Sequence, residues 1–251
     1  MLNTVVLIQA RWRSSRLPGK VMLPLAGEPA LAHVVSRCRA AAGVARVVVA
    51  TTTEEADDVV AEKAAAWGAA VFRGPEDDVL GRFAAAARAH PAEHCVRVTA
   101  DCPLLDPAVI ADVVATHVAG GHDFTYNDVP RGFPRGYDVE VITSDLLFWL
   151  ATHCRDAASR EHVTAYLFDH PRDFNVRAVE GPPGADYSAL RLVLDEGADY
   201  ELLGRIFDRL GSHPLFGLEE VLALLAAEPA LAALNRDVKQ KPCPKTPPAE
   251  R

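Results

Sequence analysis

The hydrophobic residues of this chain fall in short runs separated by longer stretches of mixed character. The apolar runs predict buried strands at 4–10, 44–51, 69–72 and 94–99. The stretches between them have helical spacing, which predicts helices at 29–42, 54–67 and 78–90. Near-continuous Val, Ile and Leu is typical of strands that are covered on both faces. The alternation therefore predicts right-handed β-α-β units in a doubly wound, mostly parallel α/β sheet.

The strict alternation loosens after residue 120. The pattern there predicts strands at 123–126, 137–143 and 190–194, and helices at 144–154, 159–170, 199–210 and 218–227. We interpret residues 1–236 as one domain that carries a small extension after residue 120. The last residues, 237–251, combine prolines and lysines without an apolar period, which predicts a disordered tail.

Composition and charge exclude several classes of protein. The 251 residues are 49% hydrophobic and 24% charged, the balance of a soluble globular protein. No apolar run approaches about 18 residues, so we expect no membrane-spanning helix, and the first cations follow the first apolar run, which is the wrong order for a secretory signal. The five cysteines are scattered, which favours a reduced cytoplasmic protein over a zinc finger or a disulfide scaffold. The net charge of −8 argues against a nucleic-acid partner.

One segment is positively charged although the chain as a whole is negative. Residues 1–27 contain no acid but carry Arg11, Arg13, Arg16 and Lys20, which predicts a small anion site, with a solvated basic loop as the alternative. The loop has arginine forks, a lysine, two serines and a following helix, and these groups suit a polyphosphate. The sequence has neither a Walker A loop nor a G-x-G-x-x-G motif.

Two carboxylates follow predicted strands. Asp101 comes after the fourth strand and Asp195 after the strand at 190–194. In open parallel sheets ligands bind beyond the carboxyl ends of the strands, so both can face the basic loop. They are candidate Mg²⁺ ligands beside phosphates, and the alternative is that each is a helix cap or a turn residue.

The basic loop opens a longer series of motifs. It reads Gln9-Ala10-Arg11-x-x-Ser14-Ser15-Arg16-Leu17-Pro18-Gly19-Lys20. Further motifs lie at 48–52, 72–80, 97–104, 126–127, 137–141, 159–164 and 190–196. This ordered series resembles the CMP-sugar synthetases, the cytidylyltransferases that activate sialic acids and 3-deoxy-manno-octulosonate, and most of all the branch named for spore coat polysaccharide biosynthesis protein F. The resemblance covers residues 3–210.

The resemblance implies a Rossmann-like fold of the nucleotide-diphospho-sugar transferase type. It implies a CTP-dependent enzyme that converts an acidic, nonulosonate-like sugar into its CMP derivative and pyrophosphate for surface polysaccharide biosynthesis. It also implies a cytoplasmic homodimer whose partners are CTP and a small acid, with no nucleic acid and no membrane.

The resemblance also assigns roles to residues. Catalytic roles fall to Lys20, Arg11 and Arg16. Nucleotide binding falls to Ala10, Arg11, Ser14, Ser15, Arg16, Lys20, Thr51, Arg73 and Thr99. Contacts to the acceptor sugar fall to Asn127, Asp138, Glu140, Arg160 and His162. The Mg²⁺ ligands would be Asp101 and Asp195.

Departures from the family pattern leave part of this open. Trp12 and Arg13 stand where the branch has Met-Gly, so Arg13 strains or reshapes the loop if that glycine needs a positive φ. Ala165 replaces a proline, and residues 197–198 replace Pro-Glu. His162 has an alternative role in helix capping or packing. Asp138 and Glu140 alternate with Val139 and Val141, so their alternative is an exposed strand face.

Two other functional classes compete with this interpretation. A metal-dependent glycosyltransferase on a similar sheet would need an Asp-x-Asp motif, but Asp101 is followed by Cys102 and Pro103. A non-catalytic binding module would tolerate the loss of Lys20 or Asp101, and both are present.

Overall fold

A seven-stranded sheet forms the centre of the molecule. The computed structural model describes residues 3–182, 187–213 and 215–240. In chain order the sheet strands are β1 (Thr4–Gln9), β4 (Arg46–Thr52), β5 (Ala70–Gly74), β6 (His94–Thr99), β7 (Phe124–Tyr126), β8 (Glu140–Thr143) and β9 (Val176–Ala178). Their order across the sheet is β5-β4-β1-β6-β8-β7-β9. A two-stranded hairpin, β2 (Pro24–Leu25) and β3 (Glu28–Pro29), stands apart from it.

The sheet divides into a parallel part and a mixed part. β5, β4, β1 and β6 are parallel neighbours, and β8 then runs antiparallel to β6. β7 is antiparallel to β8 and parallel to β9. The mixed part is the extension that the loosened pattern after residue 120 predicts.

Helices cover both faces of the sheet. They are α1 (Ala30–Ala40), α2 (Asp58–Ala66), α3 (Val79–Ala89), α4 (Pro107–Gly120), α5 (Ser144–His153), α6 (Ala157–Glu161), α7 (Ala165–Asp169), α8 (Gly197–Leu210), α9 (Leu218–Ala227) and α10 (Pro229–Ala232). One core lies between the sheet and a layer that includes α1, α4, α8 and α9. The other lies against α3, α5 and α7. The doubly wound, mostly parallel α/β architecture predicted from the sequence is confirmed.

Three local predictions need correction. Residues 190–194 are extended but form no sheet strand; Arg191 makes only an isolated bridge to Arg135. The helix predicted at 159–170 is two short helices, interrupted at Val163, whose φ is +41°. The basic loop leads into one 3₁₀ turn, Lys20–Met22, so no α-helix follows it directly.

The pattern also missed a helix. α4 is apolar around most of its circumference and lacks a clear amphipathic stripe, so periodicity does not reveal it. Its end signals are nevertheless present: the Asp106 side chain accepts a hydrogen bond from the N–H of Ala108, Pro107 opens the helix, and Gly121 ends it in the left-handed conformation. No helix among the described residues is long and apolar enough to cross a membrane.

The predicted tail begins at 237. The structure describes residues 237–240, and residues 241–251 lie outside the described part of the chain.

Candidate active site

A polar cleft of about 460 Å³ opens where β1, β6 and the extended segment 190–194 end. One wall is the basic loop, and the opposite wall includes the residues that end β6. The cleft is lined by Gln9, Arg11, Arg13, Ser14, Ser15, Arg16, Lys20, Val21, Thr99, Ala100, Asp101, Glu161, His162, Asp195 and Gln240. The topology thus brings segments that are distant along the chain to one edge of the sheet, as expected for carboxyl ends of strands.

Trp12 anchors the basic loop. Its backbone carbonyl accepts a hydrogen bond from the backbone N–H of Gly19 at 3.0 Å, and its backbone N–H donates to Asp57 Oδ1 at 2.5 Å. The indole packs on Gly19, whose φ is +70°; a side chain there would meet the ring at 3.1 Å. This turn therefore requires glycine at position 19.

Arg13 does not carry the strain that its position suggests. Among the described non-glycine residues, only Ala26 and Val163 have a positive φ. The Arg13 side chain is 63% exposed and lies 3.8 Å from Glu54 and 3.7 Å from Glu76. The loop therefore accommodates Arg13 on its outer side.

Lys20 lies between the two candidate carboxylates. Its Nζ donates to Asp101 Oδ2 and to Asp195 Oδ1, each at 2.6 Å. Burial disfavours the ammonium, but the two carboxylates outweigh it and raise the pKa of Lys20. Burial likewise opposes charge on Asp101, yet Lys20 and the hydroxyl of Thr99, which donates at 2.6 Å, lower the pKa of Asp101. Lys20 and Asp101 are therefore both charged at neutral pH.

Asp195 is shared by several cations. Arg16 reaches its Oδ2 at 3.0 Å and Arg191 reaches the same oxygen at 2.9 Å. Arg16 Nη1 is buried without a hydrogen-bond partner among the described residues, and it lies 3.7 Å from Glu196. A guanidinium with an unsatisfied buried N–H can accept an anion in the cleft at little desolvation cost.

The structure gathers one group of predicted residues in the cleft. They are Arg11, Ser14, Ser15, Arg16, Lys20, Thr99, Asp101, His162 and Asp195. The other predicted residues do not line it: Ala10, Thr51, Arg73, Asn127, Asp138, Glu140 and Arg160.

The nucleoside candidates outside the cleft lie on neighbouring strands. Ala10 is buried directly after β1, and Thr51 is fully buried in β4 with its hydroxyl unpaired among the described residues. Arg73 in β5 donates to the carbonyl oxygens of Thr52 at 2.8 Å and Glu54 at 2.9 Å, and it pairs with Asp58 at 2.6 Å.

Two of the acceptor candidates are bound within the protein. The Asn127 amide donates to the carbonyl of Tyr137 at 2.9 Å and accepts the N–H of Val139 at 2.7 Å. Arg160 donates to the carbonyl of Ala151 at 2.9 Å and pairs with Asp78.

Glu140 does not lie on an exposed strand face, as the alternation allowed, but at the centre of a buried network. It is 2% exposed and accepts from Arg97 at 2.8 Å and from the Thr164 hydroxyl at 3.0 and 3.1 Å. Arg97 also donates to Gln9 in the cleft wall at 3.0 Å. Asp138, by contrast, is half-buried and pairs with Arg131 at 2.6 Å.

Sequence reasoning missed several residues at this edge. Arg97, Arg191, Glu161 and Gln240 lie in or beside the cleft without having been singled out. Arginines inside otherwise apolar strand patterns, as at 97 and 191, were a usable signal, because a buried guanidinium needs hydrogen-bond acceptors, and carboxylates are common ones.

Comparisons with known proteins give consistent results. A sequence model of the family described as Cytidylyltransferase matches residues 5–197. The spore coat polysaccharide biosynthesis protein SpsF of Bacillus subtilis is 32% identical over 237 residues, which are 92% of this chain and 98% of that protein. A 3-deoxy-manno-octulosonate cytidylyltransferase of Anaeromyxobacter dehalogenans is 42% identical over 243 residues, which are 90% of this chain and 99% of that enzyme.

Solved structures extend the similarity to three dimensions. A cytidylyltransferase from Leptospira borgpetersenii is 31% identical, with a TM-score of 0.88 over 96% of this chain and 100% of that one. The CMP:2-keto-3-deoxy-manno-octonic acid synthetase complexed with CTP has a TM-score of 0.64 at 19% identity, over 82% of this chain and 99% of that one. At 19% identity, the comparison with the synthetase shows a shared fold only.

Proposed function

The chain belongs to the cytidylyltransferase family, and we propose that its cleft transfers the cytidylyl group of CTP to an acidic sugar. The family makes it a CTP-dependent nucleotidyltransferase. The observation that carries the site assignment is the convergence of Lys20, Arg16, Asp101 and Asp195 at one edge of the sheet. Lys20 and Arg16 would offset the negative charge of a triphosphate, and the two carboxylates would hold a divalent cation beside it.

The reaction needs positioning and charge neutralisation more than covalent help. An acceptor oxygen attacks the α-phosphorus in line, its proton leaves, and pyrophosphate departs. Lys20 would stabilise the charge on the α-phosphate. Arg11 and Arg16 would bind the departing pyrophosphate, and the hydroxyls of Ser14 and Ser15 would donate to its oxygens.

The donor set between β6 and the segment 190–194 fits a divalent cation. Oxygens of Asp101 and Asp195 both contact one Nζ, so the two carboxylates already converge on a single positive charge. The described residues hold no cluster of three or more metal-ligating side chains. That favours Mg²⁺, which takes one or two carboxylates and completes its shell with phosphate oxygens and water. When bound, Mg²⁺ would supply Lewis-acid stabilisation of phosphate charge.

We infer that Lys20 changes its partners when nucleotide binds. Without nucleotide, its ammonium keeps two like-charged carboxylates close together. With nucleotide bound, Asp101 and Asp195 would hold Mg²⁺, whose charge would offset theirs, and Lys20 Nζ would donate to a phosphate oxygen. The buried carboxylates would then be compensated in both states.

The acceptor is proposed as an acidic sugar of the nonulosonate type, used in surface polysaccharide biosynthesis. Its support is the printed names of the relatives, which include a spore coat polysaccharide protein and 3-deoxy-manno-octulosonate cytidylyltransferases. His162 and Glu161 line the cleft and are the candidates to contact it.

The proposal includes a cytoplasmic homodimer. Trp149 on α5 is an exposed large aromatic residue in the extension and stacks on His153 with ring centroids 4.3 Å apart. Exposed tryptophan is typical of protein interfaces. The four cysteines within the described part of the chain are free, which supports a reducing compartment.

One assay tests the proposed function. Purified protein is incubated with each nucleoside triphosphate, Mg²⁺ and a panel of sugar acids, and pyrophosphate release is measured. We expect release only with CTP and a 2-keto sugar acid. Release that is independent of the nucleotide base, or none with any pair, would contradict the proposal.

A further inference from the structure

A buried network fixes both the carboxylate and the backbone of Asp195. Arg191 Nε donates to Asp199 Oδ1 at 2.9 Å, while its Nη2 holds Asp195 Oδ2. Asp199, which is fully buried, accepts the backbone N–H groups of Asp195 at 3.1 Å and Glu196 at 3.0 Å. The Arg191–Asp199 pair therefore sets where the Asp195 oxygens point.

Asn235 and Gln240, which lie near the end of the described chain, complete this network. Asn235, which is 4% exposed, donates through Nδ2 to Asp199 Oδ1 and to the carbonyl oxygen of Arg191, both at 2.8 Å. Gln240 Oε1 accepts from Arg191 Nη1, and Gln240 also lines the cleft. Both residues lie beyond residue 197, where the match to the family model ends.

The hydrogen bonds of Arg191 fix the orientation of its guanidinium. Each nitrogen of the Arg191 guanidinium has its own partner: Nε has Asp199, Nη2 has Asp195 and Asp199, and Nη1 has Gln240. A planar guanidinium cannot rotate toward one partner without leaving the others. Loss of Gln240 removes the partner of Arg191 Nη1, and loss of Asn235 removes a donor to Asp199, so each change weakens the network that orients Asp195.

We propose that Asn235 and Gln240 are positioning residues of the active site, acting on Asp195 through Arg191 and Asp199. The segment 235–240 is then part of the catalytic apparatus and not only the end of the fold. This inference rests on the proposed function for the role of Asp195. Neighbours that orient a charged ligand group commonly matter tenfold or more when they are removed.

Two substitutions of similar size test it. Asn235→Leu and Gln240→Met remove the amides and keep most of the side-chain volume. We expect kcat to fall about tenfold, while KM for CTP changes less than about twofold because the basic loop is untouched. We also expect faster hydrogen exchange at the N–H groups of Asp195 and Glu196. Asn175→Leu is the matched control, since it removes an exposed amide that bonds the Gly121 carbonyl.

A conservative variant separates the bond from the packing. Gln240→Glu keeps an oxygen within reach of Arg191 and should restore most of the kcat lost in Gln240→Met. Equal losses in both variants would overturn the role of Gln240. A lower melting temperature with unchanged kcat and unchanged exchange would make both residues merely structural. If the wild-type protein transfers no cytidylyl group, the proposed function fails, and the exchange rates still decide whether these residues hold the Asp195 turn.

Discussion

The polar residues that line the cleft and the predicted site residues of the extension differ in what they contact. At the phosphate end, formed by the basic loop, Asp101 and Asp195, the charged groups line an open cleft and share partners that a ligand can replace. At the extension end, formed by Asn127, Glu140 and Arg160, the polar groups are bonded to the protein itself. Residues of the same chemical type therefore line a cleft at one end and are bonded within the fold at the other. Access to the cleft separates the two ends more than residue identity does.

Removal of the metal should have the largest effect. If Mg²⁺ neutralises the phosphate end, a chelator abolishes turnover and added Mg²⁺ restores it. Asp101→Asn and Asp195→Asn should each raise the Mg²⁺ requirement or remove activity, with CTP binding surviving better than turnover. Pyrophosphate release during a Mg²⁺ titration and CTP calorimetry measure this. Unchanged metal dependence with a lower melting temperature would make the carboxylates structural.

Glu140→Ala should be the most damaging change for stability. It leaves Arg97 and Thr164 without their carboxylate in a buried site, which typically costs about 3–5 kcal/mol. Urea unfolding measures the loss. Asp138→Ala is the comparison, because Asp138 is more exposed than Glu140 and its pair with Arg131 should contribute less to stability. Equal losses in the two variants would break the distinction between buried and exposed polar groups in the extension.

Lys20→Ala should act mainly on turnover. Loss of one charge-stabilising donor costs turnover roughly 10²-fold or more, and the variant should also lose some stability because Asp101 and Asp195 lose the ammonium between them. Lys63→Ala on the exposed face of α2 is the matched control, and steady-state kinetics with circular dichroism measures both properties. A Lys20→Ala protein with normal turnover would remove Lys20 from the mechanism.

A smaller effect concerns pH and the anchoring of the extension. His117 on α4 is fully buried, contacts Thr125 of β7 at 3.0 Å, and its pKa is lowered to about 4 by burial and by neighbouring histidines. In the unfolded chain the His117 imidazole becomes protonated as the pH falls through about 6.5. In the folded protein it stays neutral until the pH approaches 4. Stability is therefore complete above pH 6.5 and falls as the pH drops toward 4, by roughly 1–3 kcal/mol.

Urea unfolding between pH 7.5 and 4.5 checks this, with His117→Gln as the comparison. The variant should lose less stability over the same interval, because it has no imidazole to protonate. An identical pH slope in both proteins would assign the acid sensitivity to other groups.

The sequence predicts the phosphate end better than the extension end, for a physical reason. Arg11, Arg16 and Lys20 are close together along the chain and follow a strand, so the topology alone places them at a sheet edge. The Glu140–Arg97 pair joins residues on different strands, and a local pattern cannot show which carboxylate a buried arginine finds.

The same limit explains two further differences. The interruption of the helix predicted at 159–170 depends on Val163, whose positive φ is held by tertiary contacts and not by its own preference. The contact of Gln240 with Arg191 joins the end of the described chain to the cleft, where composition predicts only a disordered tail.

The most direct test of the shared cation site is a crystal structure with CTP and Mn²⁺ in place of Mg²⁺, read by anomalous diffraction. We expect a manganese peak between Asp101 Oδ2 and Asp195 Oδ1, with Lys20 Nζ moved onto a phosphate oxygen. A peak elsewhere, or Lys20 still bridging both carboxylates with nucleotide bound, would contradict the account.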